Sequence, residues 1–257
     1  MATTAAASHR READVDLTIV IPCLNEEDNV RLVLDELRAV LANRPFVSEI
    51  IVVDDFSDDR TFAVAEEWAN SAGPDFRISV LKRPLHRRGY GAAVRYGVAY
   101  GVGRYAIFVS ADGVDPINLI PTMYEKMEEG FAIAQCSRYL RPSDSASIPF
   151  KYKFFQFFFR IGVRIALGKT IVDSTYAFKM FRRREMLGVG LTQNRFNISP
   201  EIMFKSILGG GRVEYIPGAQ GTRQRGRSKF VFHKEGIGFG YCLVRALLHR
   251  HKLIYWF

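Results

Sequence analysis

Three acidic segments each follow an apolar, β-branched run. Leu17-Thr-Ile-Val-Ile-Pro22 leads into Cys23-Leu-Asn-Glu26, Glu49-Ile-Ile-Val-Val-Asp54 into Asp55-Phe-Ser57, and Tyr105-Ala-Ile-Phe-Val-Ser110 into Ala111-Asp112-Gly113. In an open parallel sheet, ligand chemistry sits at the C-terminal ends of the strands. One acidic loop there is explained by the turn-forming and capping habits of Asp and Asn, but three on one edge point to a site. A carboxylate in that position accepts hydrogen bonds from ribose hydroxyls or a base N–H. Beside a diphosphate it works through a divalent cation, which takes oxygen ligands and bridges phosphates. The cation then stabilises a leaving diphosphate as a Lewis acid.

The opposite charge is concentrated elsewhere. Residues 1–137 carry 14 basic and 21 acidic side chains, net −7, whereas residues 138–257 carry 22 basic and 6 acidic ones, net +16. A basic half implies an anionic partner, whether nucleic acid, a phosphate-bearing small molecule or a membrane surface, unless it is a solvated face. Arg223-Gln-Arg-Gly-Arg-Ser-Lys229, taken alone, suits nucleic acid. Gly89-Tyr-Gly91 opens a helix after a strand, but Val94 stands where a dinucleotide fingerprint needs its third glycine. These glycines are read as letting the helix start pack closely against the sheet. Cys23, Cys136 and Cys242 lie far apart without CxxC spacing, which indicates neither a zinc knuckle nor a disulfide framework and fits a reducing compartment. His249 and His251 read as surface residues rather than metal ligands.

These residues need a scaffold. The chain has 257 residues, 48% apolar and 25% charged, a globular composition long enough for a full core. Strands are predicted at 17–22, 49–54, 77–81, 105–110, 131–136 and 212–216. Helices are predicted after Asn25 as N-cap, with Glu26, Glu27 and Asp28 in the first turn, then at 61–70, 89–100, 117–129, 150–167, 200–208 and 235–255. Alternation of strands and helices implies βαβ units and an α/β class with a mainly parallel sheet. Residues 1–16 are expected to be a disordered tail, residues 17–230 the main domain, and residues 231–257 an amphipathic C-terminal helix. The first 16 residues lack the apolar run of a secretory signal. No run of 18 uncharged apolar residues occurs, so no transmembrane helix is expected. Phe150–Arg160 and Gly236–Phe257 mix aromatic or aliphatic residues with Lys and Arg, and read either as core helices or as helices lying in a membrane interface.

In order along the chain, Pro22-Cys-Leu-Asn-Glu26, Val53-Asp-Asp-Phe-Ser57, Arg88-Gly-Tyr-Gly-Ala92, Ser110-Ala-Asp112-Gly113, Cys136-Ser-Arg138-Tyr139 and Arg223-Gln-Arg-Gly-Arg-Ser-Lys229 resemble the motif series of the family-2 glycosyltransferases with the GT-A fold. Within that family the chain is most similar to the dolichol- or polyprenyl-phosphate mannosyltransferase type. The resemblance covers roughly residues 16–230 and rests on the order of six motifs. It implies that Pro22, Leu24 and Glu26 line the base and ribose site and that Val53 and Asp55 hold base or ribose. Ala111 and Asp112 would lie at the diphosphate, Asp112 on a Mg²⁺ or Mn²⁺ ion, and Arg138, Arg223 and Lys229 would meet phosphates.

The chain departs from the family pattern in two places. Ser110-Ala-Asp112 stands where Asp-x-Asp is usual, and Val114 where a further metal ligand, Gln, is usual, so the resemblance implies weaker metal binding. Tyr176-Ala-Phe-Lys179 replaces the usual Ser-Gly-Phe-Arg, which puts acceptor identity in question more than donor class. The expected function is transfer of a hexose from a nucleotide-diphosphate sugar, GDP-mannose-like or a UDP-sugar, to a polyprenyl phosphate or other phosphate-bearing acceptor. A phosphate acceptor is ionised near neutral pH and needs no general base. A hydroxyl acceptor, as in a soluble tailoring enzyme acting on a small molecule or sugar, needs one, and Asp173 is the candidate. A non-catalytic nucleotide-sugar or membrane-binding module is the third reading. The expected partners are the sugar donor, the acceptor and an anionic membrane surface, not nucleic acid, and the expected location is cytoplasmic, peripheral on the membrane.

Overall fold

Seven strands form one sheet: β1 (Leu17–Cys23), β2 (Ser48–Asp54), β3 (Arg77–Lys82), β4 (Tyr105–Phe108), β5 (Ile133–Ser137), β6 (Lys179–Arg182) and β7 (Val213–Pro217). The computed structural model describes residues 15–73, 76–84, 88–146, 148–223, 225 and 232–257. Strand order is β3-β2-β1-β4-β6-β5-β7. All pairings are parallel except those of β6, which runs antiparallel to both β4 and β5. The chain winds from β1 outward to β2 and β3, then returns to place β4 on the other side of β1. That reversal opens a crevice past the C-terminal ends of β1 and β4, where open α/β sheets bind ligands.

The β-branched runs became central strands because both faces of the sheet are covered. Leu17, Ile19, Ile21, Ile50 and Val52 face one core with α1 (Val30–Leu41), α2 (Thr61–Ser71) and α4 (Ile120–Glu128). Val20, Ile51 and Val53 face the other, built with α3 (Tyr90–Tyr100), α5 (Phe150–Leu167), the six-residue α6 (Arg183–Gly188), α7 (Ile198–Leu208) and α8 (Phe232–Arg250). The three cysteines are buried.

Several elements differ from the sequence reading. Asn25 does not cap α1. It adopts a left-handed backbone (φ 51), its amide oxygen accepts the Asp58 N–H at 2.8 Å, and its own N–H donates to Ser57 Oγ at 2.9 Å. Asn tolerates that conformation, so it joins the loops after β1 and β2 instead. Residues 27–29 form a turn, and α1 begins at Val30 with no acidic residue in its first turn. β4 ends at Phe108, and a 3-10 turn at Ile117–Leu119 precedes α4. Neither β6 nor α6 was expected.

The C-terminal helix is built into the second core. Phe239, Cys242 and Ala246 of α8 are buried, and the Phe239 ring lies 5.7 Å from that of Phe159 on α5. The helix α5 is core on one face and exposed on the other. Its Gln156, Phe159, Val163 and Ala166 face inward, while Phe150, Phe154, Phe157, Phe158, Ile161 and Ile165 are exposed, Phe150 at 79%. Among the described residues, no helix is long and apolar enough to cross a membrane. The expected tail falls on residues 1–14, outside the described ones, apart from its last two.

Candidate functional site

Pro22, Leu24, Glu26, Asp55, Ala111, Asp112, Arg138 and Arg223 line a single cleft of about 610 Å³ at the crevice between β1 and β4. The sheet register brings them there. Cys23 pairs with Asp54 across β1 and β2, and the Val109 N–H donates to Val20 O as the chain leaves β4. The loops carrying Glu26, Asp55 and Asp112 therefore emerge side by side.

The 110–115 turn is fixed from below by Asp115. This buried carboxylate accepts the Ser110 N–H at 2.7 Å and the Tyr176 hydroxyl at 2.8 Å. Burial pushes its pKa up to about 6, against the lowering effect of those two donors. Asp112, on the exposed side of the turn, is the carboxylate that faces the cleft. Burial raises its pKa, partly opposed by the Arg223 guanidinium.

Arg223 crosses the cleft mouth. Its Nη2 donates to both Glu26 oxygens (2.7 and 2.6 Å) and its Nη1 to Asp112 Oδ2 (3.1 Å). Glu26 is braced from behind by Asn29 Nδ2 at 2.9 Å, and its N–H donates to Thr61 Oγ1 at 2.7 Å. Asp55 is also fully engaged. Arg83 Nε donates to Oδ1 at 2.6 Å, and the Gly89 N–H donates to Oδ2. The start of α3 is held tightly too. The Gly91 N–H donates to Asn194 O at 2.9 Å, and a Cβ on Gly91 would meet Gln193 O at 2.5 Å. The glycine pair thus packs against the 193–195 loop, and the close approach of α3 to the sheet falls instead at Gly97, where a Cβ would meet Val20 Cγ1 at 2.5 Å.

Farther along the cleft, Arg138 lies over the Tyr176 ring at 4.4 Å. Its Nε and Nη2 form a fork on Asp173 (2.9 and 3.2 Å), and Nη1 donates to Gln220 at 3.1 Å. Burial disfavours its charge, but the Asp173 carboxylate outweighs this and raises its pKa. Asp173 is fully buried. Besides Arg138 it accepts the N–H groups of Thr175 and Tyr176 (both 3.2 Å). It therefore stands behind Arg138 and outside the cleft wall, with its lone pairs occupied, and positions that arginine instead of offering a free base.

Two further expectations are placed differently. The Val53 side chain is buried in the core under α3, where a Cβ on Gly97 would meet its Cγ2 at 3.1 Å, so it presents no side chain to a base or ribose. Lys229 lies outside the described residues. The residues that the sequence reading missed are Asp115, Arg83, Arg195, Gln220 and Glu235. Arg195 and Glu235 line the same cleft as an ion pair, Arg195 Nε to Glu235 Oε1 at 2.9 Å. No local motif marks them. Asp115 carried a signal, as a second acid three residues after Asp112.

Among the described residues no group of three His, Cys, Asp or Glu side chains could hold a metal ion. Asp112 Oδ1, however, is buried without a hydrogen-bond partner. That orphaned oxygen fits a divalent cation shared between Asp112 and a bound diphosphate, and not one caged by protein alone.

Comparison with known proteins completes the picture. A family model described as Glycosyl transferase family 2 matches residues 18–187. A dolichol-phosphate mannosyltransferase from Pyrococcus furiosus is 29% identical over 242 residues, covering 93% of this chain and 64% of that protein. A dolichyl-phosphate beta-glucosyltransferase from Mus musculus is 32% identical over 184 residues, covering 65% of this chain and 55% of that protein. The chain thus spans less than two thirds of the length of these relatives. A crystal structure of glucosyl-3-phosphoglycerate synthase from Mycobacterium tuberculosis, in complex with Mn²⁺, UDP-glucose and phosphoglyceric acid, superposes with TM-score 0.65 at 19% identity. It covers 93% of this chain and 80% of that one, and the fold is accordingly that of the GT-A enzymes.

Proposed function

The chain belongs to glycosyl transferase family 2, and from that membership we propose that it transfers a hexose from a nucleotide-diphosphate sugar to a phosphate-bearing acceptor, with a polyprenyl phosphate as the favoured class. One observation carries the reading. The carboxylates Glu26, Asp55 and Asp112, the Arg138 guanidinium and the rings of Tyr152, Phe155, Phe196 and Phe239 all line one cleft. The carboxylates suit a donor nucleotide and its cation, Arg138 suits a phosphate, and the aromatic rings suit an isoprenoid tail. The relatives named for dolichol phosphate, and the phosphoglyceric acid bound to the structural neighbour, support a phosphate acceptor.

In this reading an acceptor phosphate oxygen attacks the anomeric carbon. The bond from that carbon to the diphosphate breaks, and nucleoside diphosphate departs with the electron pair. No proton moves, which agrees with Asp173 being occupied by Arg138 and two backbone N–H groups. Arg138, fixed by its fork on Asp173, offers its charge and its Nη1 edge to the nucleophile, so positioning supplies much of the rate. A divalent cation, when bound at Asp112, stabilises charge on the leaving diphosphate. The donor sugar and base stay open between a GDP- and a UDP-sugar.

The exposed aromatic face of α5, together with exposed Ile237, Tyr241 and Val244 of α8, supports peripheral docking on an anionic bilayer, where apolar burial and basic charge act together. A second reading, transfer to a hydroxyl, rests on Glu235, whose Oε2 is buried in the cleft wall without a hydrogen-bond partner and could accept a proton there. Thermal denaturation with UDP and GDP, each with and without Mn²⁺, tests the donor assignment, since a ligand of the native state stabilises it by mass action. At least one diphosphate should raise the melting temperature, more so with Mn²⁺, and Asp112→Asn should remove the Mn²⁺ increment. No shift with either nucleotide would sink the assignment.

A further inference from the structure

We infer that Arg223 is a built-in counter-cation that keeps the metal site closed until a donor diphosphate draws it away, so that metal and donor bind interdependently. The inference rests on the proposed donor only for the identity of the diphosphate. Its basis is geometric. The two carboxylates that face the entrance, Glu26 and Asp112, are joined through one guanidinium, with Nη2 on both Glu26 oxygens and Nη1 on Asp112 Oδ2. Arg223 is only 16% exposed. It is held from a third side as well, because its Nε donates to Arg225 O at 2.7 Å. The chain two residues before it is pinned to the 112–115 turn by the Gly221 N–H on Val114 O at 2.7 Å.

A divalent cation reaching the free Asp112 Oδ1 meets this guanidinium on the other oxygen of the same carboxylate. The two cations repel at short range in a partly desolvated site, so a metal ion alone binds poorly. A diphosphate changes the balance. Its anionic oxygens give the guanidinium a bidentate partner of its own and give the metal its remaining oxygen ligands. Both gains follow from one movement of Arg223 off Asp112. The sequence has Ser110 and Val114 on either side of Asp112, neither of which is a strong metal ligand. The arginine therefore competes for the principal ligand that the protein provides, and its effect on metal affinity is large.

The test is calorimetric titration of the full chain. Mn²⁺ alone should bind the wild type weakly and Arg223→Gln about tenfold more tightly, within the usual range of coupling between sites. Adding saturating UDP or GDP should raise Mn²⁺ affinity about tenfold in the wild type and clearly less in Arg223→Gln. Asp112→Asn in the Arg223→Gln background should abolish the gain, which ties it to this site. Should Arg223→Gln fail to fold by circular dichroism, Arg223→Ala must give the same gain. The inference is overturned if either folded variant binds Mn²⁺ no more tightly than the wild type, or if the gain survives Asp112→Asn. Failure of both nucleotides to bind any of these proteins sinks the donor assignment instead, while the arm with Mn²⁺ alone still decides the role of Arg223.

Discussion

Asp173→Asn separates a positioning carboxylate from a catalytic base. The Asp173 side chain is fully buried and Arg138 is 14% exposed, with a fork of 2.9 and 3.2 Å between them. In the variant the amide oxygen keeps the Thr175 and Tyr176 N–H groups and Arg138 Nη2, which turns the new NH₂ toward the guanidinium Nε donor. Removing one partner of a buried pair costs about 3–5 kcal/mol, because the other charge is left uncompensated. Arg138 retains Gln220 and contact with the cleft, so a loss near the low end, about 3 kcal/mol, is expected. Denaturant unfolding at neutral pH measures it as a lower midpoint with an unchanged slope. Arg138→Gln removes the stranded charge, so the double variant should be more stable than additivity predicts by about 2 kcal/mol. The pH profile supplies the second readout. A base would give the wild type an acidic limb in kcat that Asp173→Asn removes, whereas a positioning role lowers the rate without reshaping the profile. A loss under about 1 kcal/mol, additive variants, or removal of such a limb would refute the assignment.

Three other perturbations follow from particular contacts. Lys179 is fully buried with Nζ on Ser174 O and Ser199 O (3.2 and 3.0 Å), and burial draws its pKa down to about 7. The unfolded chain then binds the extra proton between about pH 7 and the usual lysine value, so wild-type stability should rise with pH across that window relative to Lys179→Met. Parallel stability curves for the two proteins would contradict it. Gly91→Ala puts a methyl group 2.5 Å from Gln193 O and 2.6 Å from Arg195 O, and overpacking of this kind should cost about 1–3 kcal/mol in thermal denaturation; an unchanged melt would mean that the 193–195 loop gives way freely. Phe154→Ser with Phe158→Ser removes two exposed rings of α5 and should weaken sedimentation with anionic liposomes. The wild type should bind at low salt and be released by high salt, since each basic residue near such a surface contributes about 1 kcal/mol; indifference to lipid charge and salt would remove the bilayer from the account.

Much of this was legible in the sequence because the signals were local. Apolar runs such as Leu17–Ile21 announce strands covered on both faces, and the acidic residues behind them mark the edge on which the cleft opens. What failed was set by partners distant in the chain. β6 is four residues long, and its Lys179 is buried only because the carbonyls of Ser174 and Ser199 receive it. Asn25 reads as a cap until the loop after β2 arrives to claim its side chain. Asp173 reads as a base until Arg138, thirty-five residues earlier, occupies it. For Val53, strand parity puts the side chain on the same face as Ile51, under α3, which leaves its backbone as the part that can meet a base or ribose.

The measurement closest to the central claim uses the full chain with Mn²⁺, radiolabelled GDP-mannose or UDP-glucose, and matched acceptors in detergent: a polyprenyl phosphate and the corresponding polyprenol. The cleft geometry, with Arg138 held by its fork and Asp173 unavailable as a base, predicts label in the polyprenyl phosphate product with at least one donor and none in the polyprenol. Transfer to the polyprenol, or release of free hexose with neither acceptor labelled, would contradict it.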